Sequence, residues 1–103
     1  EKVARQGGYT VIQTLTGHGV GRHIHEKPSV FNFYNKRDRE PLTEGLVITV
    51  EPFLTPGDGR IYTDRNEWTY RSMDGSVAAQ FEHTIVVTKD QPILVTHLDG
   101  ATG

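Results

Sequence analysis

No window of this chain sustains a 3.6-residue apolar period; its apolar residues fall instead in short β-branched runs cut by Pro and Gly. That pattern excludes a helical bundle and points to a strand-rich fold. Tyr9–Leu15 (YTVIQTL), Leu46–Glu51 (LVITVE) and Phe81–Thr88 (FEHTIVVT) read as strands, with Ile61–Thr63, Trp68–Arg71 and Ile93–Leu98 as weaker candidates. Between them Pro41, Pro52, Pro56-Gly57-Asp58-Gly59 and Asp74-Gly75 supply turn chemistry. Glu1–Gln6 (EKVARQ) predicts the tail of a helix, stopped by Gly7 and Gly8, where a helix end favours a left-handed residue. A helix met only at its tail leads us to expect a fragment.

With 103 residues there is room for one modest core, and no repeat, low-complexity tract or linker divides the chain, so residues 1–103 are expected to form a single domain. Eleven basic against thirteen acidic residues give a net charge of -2, which argues against a nucleic-acid partner. No stretch approaches the roughly 20 apolar residues of a membrane span, so no membrane partner is expected. The charged EKVARQ segment is followed by no apolar region, so no signal peptide is read there. Without cysteine there is no disulfide or thiolate site; the expected location is cytoplasmic, and any metal must be held by His and carboxylate.

Chemistry concentrates in Gly17–Glu26 (GHGVGRHIHE), which holds three of the five histidines. Neutral imidazole ligates divalent metals and carries protons near neutral pH, and flanking glycines allow close backbone approach. A Gly-rich loop with solvated histidines is the bland alternative, and no HExxH follows: His25-Glu26 runs into Lys27-Pro28. Glu51 ends one apolar strand and Glu82 lies early in another. A carboxylate in such a run calls for a partner, a metal or a raised pKa. Strand alternation puts Val47, Thr49 and Glu51 on one face, and Glu82, Thr84 and Val86 on another. If those faces meet, two carboxylates and a histidine share a metal; if not, both glutamates are wet strand ends.

The ordered segments GHGVGRHIHEKPSV, EGLVITVEPF and WTYRSMDGSVAAQFEHTIVVT resemble the C-terminal half of type I methionine aminopeptidases, from Gly17 to about Thr88. The resemblance implies an α+β fold: the strand-rich C-terminal half of a pita-bread (creatinase/aminopeptidase) fold, mainly antiparallel sheet. The implied reaction is metal-dependent removal of methionine from the N-terminus of a peptide or nascent protein. It further implies two divalent ions, Co, Mn, Fe or Zn. His18 and Glu51 match ligands of one ion, and Glu82 matches the carboxylate bridging both. His25 matches a non-ligand histidine that contacts the scissile peptide, and Trp68 an aromatic near the methionine pocket.

The family also uses two aspartates from an N-terminal half that these residues do not include. Asp38, Asp58, Asp64 and Asp74 are expected to be loop residues that do not replace them, so the chain alone is expected to be inactive and to need that half as partner. Ala78 stands where the family often has Ser. A non-catalytic binding module and a Pro-directed aminopeptidase of the same fold are the alternatives. His23 is expected to face solvent, His83 to be structural, and Phe31–Tyr34 to be core or rim or to line a pocket.

Overall fold

The computed structural model describes residues 1–98. One short helix and ten short strands follow in chain order: α1 Lys2–Gln6, β1 Thr10–Val11, β2 Gly17–Gly19, β3 Glu26–Val30, β4 Val47–Val50, β5 Phe53–Thr55, β6 Ile61–Thr63, β7 Tyr70–Ser72, β8 Ala79–Gln80, β9 His83–Val86 and β10 Ile93–Leu94. They form a five-stranded sheet in the order β10-β9-β4-β2-β3, a three-stranded sheet β1-β5-β8, and the hairpin β6-β7. Every pairing is antiparallel. This is the mainly antiparallel α+β architecture expected, and no described helix is long and apolar enough to cross a membrane.

Helix α1 ends as read: Gly8 adopts φ +83° and passes the chain into β1. The expected strand Tyr9–Leu15 is cut to Thr10–Val11. Ile12 still donates its N–H to the Phe53 carbonyl at 2.9 Å, but exposed Gln13 and Thr14 then carry the chain into a turn. Four strands went unread, β2, β3, β5 and β8, because they are short, glycine-bearing or polar and lack the β-branched signature. Pro28 in β3 is tolerated because β3 is the edge strand.

The core is small, with Ala4, Val11, Ile12 and Ile48 as its buried apolar residues. Ile48 lies 2% exposed on one face of β4, while Thr49 and Glu51 alternate to the other. That second face carries the candidate site residue Glu51.

Candidate metal centre

The register of three adjacent strands assembles the site. Strand β4 pairs with β9 through Val47↔Val86, Ile48↔Ile85, Thr49↔Thr84 and Val50↔His83, so Glu82 falls beside Glu51 one step on. On the other side of β4, Gly19 faces Ile48, which sets His18 opposite Thr49. The two carboxylate-bearing faces considered from sequence are therefore one face of one sheet, joined by cross-strand neighbourhood. Strand β2 comes close enough for this because its flanks are glycine. A Cβ at Gly17 would collide with the Thr49 carbonyl, and one at Gly19 with the Lys27 carbonyl.

One ligand atom each from His18, Glu51 and Glu82 lies within 4.8 Å of the others, the only such group of three or more among the described residues. The imidazole is aimed. Its Nδ1 donates to the Gly19 carbonyl at 2.8 Å, because a carbonyl can only accept. That leaves the Nε2 lone pair facing the Glu51 Oε2 at 3.5 Å. The His18 backbone N–H donates to the Thr49 Oγ1 at 3.0 Å, and the Gln80 Nε2 donates to the Glu82 Oε2 at 3.2 Å.

Burial pushes the Glu51 carboxyl above its ordinary value; a hydrogen bond from Thr49 opposes this, and the neighbouring Glu82 carboxyl, hydrogen-bonded and of like charge, pushes it further up. A proton or a cation between the two carboxyls would relieve this repulsion. One imidazole nitrogen with carboxylate oxygens suits Mn, Fe, Co or Zn, so the donor set fits a divalent metal on its own chemistry.

His25 rides on the loop between β2 and β3, its ring centroid 4.3 Å from that of His18 and tilted by 55°. Glu26 steadies that loop by accepting the His23 N–H at 3.0 Å. The structure thus brings His18, Glu51, Glu82 and His25 together. Trp68 joins none of their hydrogen bonds or ring contacts; it sits in the turn of the β6–β7 hairpin, 78% exposed. His23 faces solvent, and His83 is held by the Thr96 hydroxyl at 2.7 Å. Asp58 and Asp64 pair with Arg60 and Arg71, Asp74 accepts the Asp58 N–H, and Asp38 accepts the Glu40 N–H. Phe31 and Phe33 pack ring to ring at 5.4 Å, and they line a groove with Val11, Val50 and Leu54. Thr49 and Gln80, which bond to His18 and Glu82, carry no signal of their own in the sequence; each stands two residues before a glutamate, a spacing that shares a face in a strand.

The sequence profile of metallopeptidase family M24 matches residues 1–89, and the chain belongs to that family. Its relatives include a methionine aminopeptidase of Staphylococcus epidermidis, 47% identical over 97 residues, which covers 93% of this chain and 39% of that protein. Methionine aminopeptidase 2 of Bacillus subtilis is 47% identical over 96 residues, covering 92% and 39%. Among solved structures, the methionine aminopeptidase of Rickettsia prowazekii superposes with a TM-score of 0.87 at 39% identity, covering 93% of this chain and 39% of that one. That of Thermotoga maritima gives 0.86 at 35% identity, covering 92% and 38%. The chain therefore spans about two fifths of the length of these relatives, and its pita-bread fold is theirs.

Proposed function

We propose that this chain supplies one side of a divalent-metal centre that removes the N-terminal methionine from peptides and nascent proteins. The observation that carries the reading is the His18, Glu51 and Glu82 triad on one face of three adjacent strands. In this reading His18, Glu51 and Glu82 would hold the divalent ions, with His18 and Glu51 as ligands of one and Glu82 as a carboxylate available to both. The bound ions supply Lewis acidity and a nucleophile available near neutral pH. The residues of the chain orient and stabilise. His25 points a ring N–H donor at the scissile carbonyl as charge develops there, and Trp68 closes against the methionine side chain once the rest of the catalytic domain covers the hairpin. Two further carboxylates come from outside these residues, so the chain by itself is inactive.

Mn2+ titration and hydrolysis of Met-Ala-Ser test this. The chain is expected to take up Mn2+ weakly, to lose that uptake when His18→Ala and Glu82→Ala are combined, and to leave the peptide intact. Micromolar or tighter uptake that survived both substitutions would place the ligands elsewhere. Hydrolysis by the chain alone would overturn the need for outside carboxylates. Once the chain is joined to the remainder of a catalytic domain, preference for Xaa-Pro over Met-Ala peptides would move it to a Pro-directed peptidase.

A further inference from the structure

We infer that Thr49 is a positioning residue for this centre, its buried hydroxyl fixing the strand that carries His18 against the strand that carries Glu51. The inference rests on the metal reading above. Thr49 lies on β4, 3% exposed, between β2 and β9. Its Oγ1 accepts the His18 backbone N–H at 3.0 Å. Glu51 stands two residues on and on the same face of β4. The N–H can only donate, so the hydroxyl receives it on a lone pair. The Thr49 oxygen therefore ties the backbone that carries the imidazole to the strand that carries Glu51.

The Gly19 carbonyl on Nδ1 sets the tilt of the His18 ring. Thr49 sets the height of β2 against β4, and so the position from which that ring starts. The second fully buried threonine makes the contrast. Thr55 is 2% exposed, but its hydroxyl donates to the Val77 carbonyl at 2.7 Å and accepts the Gly57 N–H at 3.1 Å, and neither residue belongs to the centre. The two threonines are similarly buried, and only Thr49 bonds to a residue of the centre.

The test uses the 103-residue chain with Thr49→Val, Thr49→Ser and Thr55→Val, read by Mn2+ titration, thermal unfolding and hydrogen exchange of the metal-free protein. Valine keeps the shape and removes the hydroxyl. Loss of a group that orients a metal ligand weakens binding by about ten- to a hundred-fold, which is the expectation for Thr49→Val. Thr49→Ser keeps the hydroxyl and is expected to bind near the wild-type value. Thr55→Val is expected to lower the melting temperature while folded protein takes up Mn2+ as before. The His18 amide should exchange faster in Thr49→Val alone. Should the valine variant not fold, Thr49→Ala is read in the same way. Unchanged uptake in Thr49→Val, or an equal loss in Thr55→Val, would overturn the role of Thr49 and leave the centre standing. No uptake by the wild-type chain would overturn the centre itself, and this inference with it.

Discussion

Strand β4 and the β6–β7 hairpin are both antiparallel and of similar length, yet different forces hold them. Strand β4 runs between two neighbours, with Ile48 and Thr49 buried and its backbone paired on both sides. The hairpin is two-stranded, leaves Tyr62 and Tyr70 exposed, and is fastened by the Arg71 to Asp64 ion pair at 2.6 Å and by a turn closed on Asn66. An isolated two-stranded hairpin is marginal in water. His18 and Glu51 therefore stand where packing fixes position, whereas Trp68 stands where only surface contacts do. The two regions also carry carboxyls shifted in opposite senses, Glu51 upward and Asp64 downward.

The largest effect should come from the glycines that let the central strands approach. Gly19→Ala drives a methyl group into the Lys27 carbonyl, which is backbone and cannot swing aside. A cost of about 3 kcal/mol or more is expected, enough to unfold much of so small a domain. Gly75, in the loop after the hairpin, has open space around its missing Cβ and only its φ of +74° to oppose a side chain. Gly75→Ala should cost about 1 kcal/mol. Urea unfolding of both variants checks the order; equal midpoints would erase the contrast between the regions.

His25→Ala comes next, measured in a protein that joins these residues to the rest of the catalytic domain. A donor aimed at developing charge is worth about a hundred- to a thousand-fold in kcat, whereas a lost ligand also releases metal. The expected result is a drop of that size in kcat with metal content and melting temperature unchanged. Loss of metal would make His25 a ligand, and an unchanged kcat would make it scaffolding.

How much of this was legible in the chain follows the same division. Strands β4 and β9 announce themselves through LVITVE and FEHTIVVT, because buried central strands are β-branched, and the glutamates stand out by interrupting them. His18 was visible for its glycines. That it lies in a strand was not, since GHG has no strand propensity; it pairs because glycine lets two backbones meet. That the carboxylates share a sheet depended on strand order, which period-2 alternation does not encode. For the same reason the bonds from Thr49 to His18 and from Gln80 to Glu82 were out of reach, although their spacing was in view.

Titration sharpens the comparison further. The pKa of the Glu51 carboxyl is raised, by burial first and by Glu82 as well, so the metal-free fold keeps that proton to a higher pH than the unfolded chain does. The folded chain then binds more protons than the unfolded one between the ordinary and the raised value. Its contribution is fully present below the ordinary value and is lost as pH rises through the raised one. Glu51→Gln should flatten that fall when melting temperature is followed against pH in the presence of a chelator. The sign reverses for the lowered Asp58, Asp64 and Asp74, so the quantity to read is the difference between wild type and variant.

The smallest effect belongs to the hairpin. The Arg71 guanidinium beside Asp64, and then the Arg65 N–H, hold the Asp64 carboxyl below its ordinary value. Its stabilisation is present above that ordinary value and is lost as pH falls through the lowered one. Because the pair lies at the surface, water and salt screen it, and surface ion pairs contribute little. Asp64→Asn should lower the melting temperature slightly at neutral pH and low salt, and not measurably at high salt. It should leave Mn2+ uptake untouched, since no hydrogen bond or ion pair runs from Asp64 to His18, Glu51 or Glu82 among the described residues. Weakened uptake in Asp64→Asn would mean that the hairpin and the sheet are mechanically coupled, and that the turn bearing Trp68 is held against the centre more firmly than its surface contacts imply.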